Sequence, residues 1–137
     1  MSRVLVFTVE SVLGPLYGGV SERGLCVLTL PPNDLRQFAQ ALDKRLGESE
    51  LVSIAPQDTQ AGRQILAYLS GQPTELDAPL DLEGLPEFTR RVLLAVAAIP
   101  YGRTRAYGQV AASVGKPQAA RAVGQVMHHN PVPLFVP

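Results

Sequence analysis

The chain has 137 residues with a formal net charge of zero, 46% of them hydrophobic and 18% charged. This supplies core enough for one medium or two small domains and excludes disordered and fibrous classes. A single cysteine, Cys26, excludes an intramolecular disulfide and any multi-cysteine metal site.

In chain order, Val4–Val9 reads as a strand, Leu13-Gly14-Pro15-Leu16 as a turn, and Tyr17–Val20 as a second strand of a hairpin. Gly24–Leu30 is near-continuously apolar and predicts a central strand. Pro31-Pro32-Asn33-Asp34 stops the sheet and caps a helix over 33–46, with Leu35, Phe38, Ala39, Leu42 and Leu46 on its apolar face. A short strand at Leu51–Ile54 and a helix from Thr59 to Gly71 follow. Gln72–Pro86, with three prolines and four acids, has linker composition.

Beyond it the pattern is helical. Phe88, Val92, Leu93, Val96 and Ile99 form one apolar stripe, ended by Pro100-Tyr101-Gly102. Tyr107–Val114 predicts a short helix, Gly115-Lys116 a turn, and Pro117 the first position of a last helix reaching His128. Leu134-Phe135-Val136 is expected to be a buried strand. The opening MSRVLVFTVE lacks signal-peptide features and no apolar run approaches membrane-spanning length, so a cytoplasmic location with no membrane partner is expected.

The neutral total conceals an asymmetry. Up to Pro86 there are six basic residues against eleven acids; from Glu87 onward there are six against one. A basic second half of this kind suits a nucleic-acid-binding module. Two short helices joined at Gly115 read as a helix-turn-helix. In the second helix Ala119, Ala122, Val123 and Val126 are expected to point inward. Gln118, Arg121, Gly124, Gln125 and His128 lie opposite. So bare a face, with one long cation, suits a helix lying close to a narrow groove. On the residues alone it suits a packed core helix with a solvated arginine equally well.

Cys26 sits in the most apolar strand and is expected to be a buried core residue rather than a nucleophile. His128 and His129, with no other ligand clustered near them, do not build a metal site; they are expected to cap the helix end or to approach phosphate.

The string "IPYGRTRAYGQVAASVGKPQAARAVGQVMHHNPVPLFVP" resembles the carboxy-terminal domain of the alkylguanine-DNA alkyltransferases, the methylated-DNA–protein-cysteine methyltransferases. Upstream, "LGPLYGGVSERGLCVLTL" and "ILAYLSGQPTELDAPLDLEGLPEF" are similar to the family's first domain and linker. The resemblance implies an α+β fold. A ribonuclease H-like domain of a small sheet plus helices (1–77) and a linker (78–86) would precede a helical, winged-helix-like domain with a helix-turn-helix (87–137).

The implied function is DNA repair by direct reversal. A monomer without cofactor binds duplex DNA in the minor groove, flips an O6-alkylguanine out, and moves the alkyl group once to its own cysteine. The resemblance implies that Arg121 fills the vacated stack, Tyr107 presses on the 3′ phosphate, and Ala120 and Gly124 permit close approach. Asn130 would hold the turn before the acceptor, and Lys116, where many members have asparagine, would add a phosphate contact. Two further departures are Val92-Leu93 in place of a common Val-Trp pair, and Ala106 in place of a frequent serine. In the family a Pro-Cys-His-Arg motif carries the acceptor cysteine just after the segment that NPVPLFVP resembles. The residues as given stop at Pro137, so no catalytic residue is expected among them and no transfer is expected from them. The alternative is a non-catalytic alkyltransferase-like protein that marks lesions for other factors.

Overall fold

A computed structural model describes residues 2–100 and 102–137. Tyr101, part of the expected helix terminator, lies outside the described residues. The chain is α+β, a four-stranded mixed sheet and five α-helices among the described residues, in two compact units: Met1–Asp81 with Pro131–Phe135, and Leu82–Asn130 with Val136–Pro137.

In the first unit β1 (Ser2–Ser11), β2 (Gly14–Ser21) and β3 (Gly24–Thr29) form an antiparallel meander. After α1 (Leu35–Leu46), strand β4 (Ser49–Ser53) adds parallel to β1, giving the order β3-β2-β1-β4. The expected hairpin is present, but the apolar strand expected to be central is the edge strand β3: its continuous apolar run signals burial, which Leu25–Leu28 fulfil, and not a place between two other strands. Asp34 caps α1 as its composition suggests: its side chain accepts from Gln37 N at 2.8 Å, and Gln37 Oε1 accepts from Asp34 N at 2.9 Å. Phe38 and Leu42 bury against Val4, Cys26 and Val27, whereas Leu35 and Ala39, expected on the same face, are exposed. α2 (Gln60–Leu69) starts at Thr59, whose hydroxyl accepts from Gly62 N at 3.0 Å.

The expected linker is not free throughout. Leu25 N donates to Pro79 O and Asp81 N donates to Leu25 O, bridging Leu80 to the outer edge of β3. Asp81 is buried; Ser21 Oγ donates to its carboxylate and Arg45 to its carbonyl. Acidic, proline-rich composition signals irregular backbone. Here that backbone is stapled to the sheet at 79–81.

The second unit contains α3 (Glu87–Ala97), α4 (Tyr107–Ser113) and α5 (Ala120–His128), packed on one another. Val92, Leu93, Val96, Val110, Ala111, Val114 and Val123 are buried. No helix among the described residues is long and apolar enough to cross a membrane.

Three expectations fail in 114–137. Pro117 does not begin α5: Ala119 N donates to Lys116 O at 2.9 Å, so Pro117 occupies the second position of a turn, where its fixed φ is equally at home. The helix starts three residues later, and Ala122, expected inward, is exposed. Nor is Leu134–Val136 a strand. Pro131 and Pro133 lack amide donors, Leu134 turns the chain with φ 73°, and the Val136 carbonyl is taken by a side chain. The apolar run signals burial, which Phe135 and Val136 fulfil, but not strand pairing.

Candidate nucleic-acid interface

The residues singled out for DNA contact lie on α4, on α5 and in the turn that joins them. α4 ends in a Schellman motif: Gly115, with φ 80°, donates to Ala112 O at 3.0 Å, and Lys116 N donates to Ala111 O at 2.9 Å. Glycine takes this left-handed conformation without the penalty a Cβ brings. The chain thus reverses within Gly115–Ala119 and presents Lys116 to solvent before α5 begins.

Ala120 opens α5, half-buried; Arg121 beside it is exposed, and Val123 behind it is fully buried. The exposed face carries Arg121, Gln125 and His128, with Gly124 half-buried among them; Gln118, expected on this face, is exposed in the turn before the helix. His129 Nδ1 lies 3.0 Å from Gln125 O, at the carbonyl end of the helix, a capping position. The α4 start is less completely capped. Ala106 N donates to Gln109 Oε1 at 2.8 Å, but an alanine side chain offers no acceptor in return.

Tyr107, the first residue of α4, is 49% exposed. Its ring lies against Gly124, where a Cβ would meet Tyr107 Cε2 at 3.3 Å. Asn130 Nδ2 donates to Val136 O at 2.7 Å and so closes a seven-residue loop from Asn130 to Val136. Leu134 in that loop is the one non-glycine residue with positive φ among the described residues, a conformation that concentrates at functional segments.

Sequence reasoning missed a cleft of about 360 Å³ lined by Val96, Ile99, Arg105, Tyr107, Met127 and Pro137. The loop Arg103-Thr104-Arg105 borders it and also borders a second cleft of about 390 Å³. The signal available was two arginines one residue apart, just after Gly102, in a stretch without carboxylates.

Cys26, the chain's one thiol, is fully buried in the first unit, and its Sγ donates to Gly19 O at 3.2 Å. Burial first, and then the Asp81 carboxylate, push its pKa from 9.0 up to about 11. It is a core thiol, as expected. Folding favours the protonated form, so its contribution is complete below pH 9.0 and falls as pH rises toward about 11, because the unfolded chain releases the proton first. The stability advantage of wild type over Cys26→Ala should therefore shrink by about 1 kcal/mol between about pH 8 and about pH 10 in urea titrations. An advantage unchanged across that window would mean that the thiol is not held protonated by the fold.

The family model for the 6-O-methylguanine DNA methyltransferase DNA-binding domain matches residues 87–137. A methylated-DNA–protein-cysteine methyltransferase of Mycolicibacterium paratuberculosis is 52% identical over 77 residues, covering 56% of this chain and 46% of that relative. The constitutive methylated-DNA–protein-cysteine methyltransferase of Bacillus subtilis is 33% identical over 130 residues, 95% of this chain and 75% of that relative. The match thus spans about half of the first relative's length and three quarters of the second's. A crystal structure of Mycobacterium tuberculosis OGT in complex with DNA superposes with a TM-score of 0.74 at 35% identity, covering 97% of this chain and 74% of that one. The chain belongs to the methylated-DNA–protein-cysteine methyltransferase family.

Proposed function

We propose that the protein acts in direct reversal of guanine alkylation in DNA and that its second unit is the part that grips duplex DNA. The observation that carries this reading is the exposed face of α5, where Arg121 stands beside small residues, with exposed Lys116 in the turn before it and exposed Tyr107 at the start of α4, in a stretch with six basic residues against one acid. α4, the Gly115 turn and α5 act as a winged-helix-like helix-turn-helix, and the sheet of the first unit as a ribonuclease H-like support. The working modules are 1–77, 78–86 and 87–137. α5 enters the minor groove, Ala120 and Gly124 keep it low, and Arg121 occupies the space left by the flipped nucleotide. Tyr107 and Lys116 meet phosphates, and the Asn130–Val136 bond fixes the chain before the acceptor. The partner is double-stranded DNA carrying O6-alkylguanine, met by a monomer in the cytoplasm or nucleoid.

In the family reaction a cysteine sulfur bonds to the alkyl carbon, the carbon–O6 bond breaks, and guanine keeps the electron pair. Cys26 does not serve: it is buried in the first unit with its thiol pushed up to about 11. That observation favours, for residues 1–137 taken alone, a second reading in which they bind duplex without accepting an alkyl group.

Incubating the 137-residue chain with duplex containing O6-methylguanine and weighing the intact protein tests both readings. No added methyl is expected. Duplex binding should weaken with salt, by about 0.9 in log–log slope per phosphate contacted, with little preference for the lesion over undamaged duplex. Lys116→Ala should lower that slope by about 1. Methylated Cys26 would overturn its assignment as a core thiol, and binding indifferent to salt would overturn the interface.

A further inference from the structure

We propose that Gly124 is a positioning residue for Tyr107: the bare face of α5 at this position is the seat of the tyrosine ring and sets where its hydroxyl stands. This deepens the reading above, in which Tyr107 meets a DNA phosphate, and rests on it. Gly124 falls in the middle of a nine-residue helix. A helix so short has little intrinsic stability, and glycine there costs about 1 kcal/mol relative to alanine. Close approach to a groove explains a small residue but not the loss of the last methyl group, since Ala120 and Ala122 on the same helix are also small.

The packing explains it. A Cβ at Gly124 would lie 3.3 Å from Tyr107 Cε2, closer than carbon atoms pack at ease, and 3.5 Å from Cδ2, an ordinary contact; these are the nearest neighbours it would meet within 4 Å. Tyr107 also begins α4 behind an N-cap with no side-chain acceptor, so the cap does little to fix the approach of the chain. The ring is half exposed and forms part of the wall of the 360 Å³ cleft. The close approach to Gly124 across on α5 therefore helps to locate it, and a methyl group there must move it by a few tenths of an ångström.

The test compares wild type, Gly124→Ala, Tyr107→Ala and the double variant. Gly124→Ala should fold at least as well as wild type by urea midpoint, because alanine favours the helix. In the free protein with ring-13C tyrosine, the Tyr107 resonance (identified by its loss in Tyr107→Ala) should shift in Gly124→Ala, while Tyr17 and Tyr68 stay in place. Against a short fluorescein-labelled duplex, each single variant should bind about five- to tenfold more weakly and the double no more weakly than Tyr107→Ala, the non-additivity of residues in contact. An unmoved Tyr107 resonance overturns the inference, whatever the DNA result. A double variant that loses the product of the two single effects also overturns it and assigns Gly124 to direct groove approach. Absence of duplex binding by wild type alongside a shifted ring overturns the DNA reading and leaves the seat in place.

Discussion

Gly62→Ala should destabilise the protein by about 3 kcal/mol or more, seen as a lowered urea midpoint. Gly62 is the third residue of α2, directly over the short 3₁₀ turn Pro56–Asp58 that feeds the helix. A Cβ there would stand 2.1 Å from the Pro56 carbonyl oxygen and 2.7 Å from its carbon. These are backbone atoms, with no rotamer to move away. The turn would have to lift, and with it the Thr59 cap, whose hydroxyl accepts from Gly62 N at 3.0 Å. Gln60→Ala, on the exposed side of the same turn, should change stability by no more than about 0.5 kcal/mol. Equal midpoints for Gly62→Ala and wild type would show that the turn and helix do not pack as described.

Leu93→Ala should cost about 3 kcal/mol and Leu93→Met less than about 1.5 kcal/mol, by the same measurement. Leu93 is fully buried on α3, in a unit whose interior is otherwise mostly valine and alanine. A unit this small has few large side chains to close over a void, so truncation leaves most of the cavity open, whereas methionine refills it. DNA affinity should fall together with stability in Leu93→Ala, because α3 supports α4 and α5 without reaching the exposed face. A Leu93→Ala protein as stable as wild type would mean that the helices repack.

The sheet and α1 were legible because local chemistry and tertiary demand agree there. A continuous apolar run at Gly24–Leu30 needs burial on both faces, and Asp34 with Gln37 caps a helix wherever it lies. The residues proposed for DNA contact were picked out as a set from one string, and the fold puts Tyr107, Lys116, Ala120, Arg121 and Gly124 on two short helices and their joining turn. Sequence misled where one composition serves two geometries. Pro117 suits a turn as well as a helix start, and Leu134-Phe135-Val136 bury their apolar atoms without pairing as a strand. The contact between Gly124 and Tyr107 spans seventeen positions and two helices, so no local pattern carries it. The stapling of 79–81 likewise depends on β3 far upstream.

The outer edge of β3 is closed from two distant places: Leu25 N donates to Pro79 O, and Leu28 N donates to Pro131 O at 2.8 Å. The second partner leaves the ribosome about a hundred residues after Leu28, roughly 5–20 s later at ordinary rates of synthesis. Through that interval the nascent sheet can form its meander and its first staple, but the Leu28 amide stays open to water or to any passing strand. Slowing translation between codons 86 and 130 should therefore lengthen the period in which a co-translational chaperone protects the yield of folded protein.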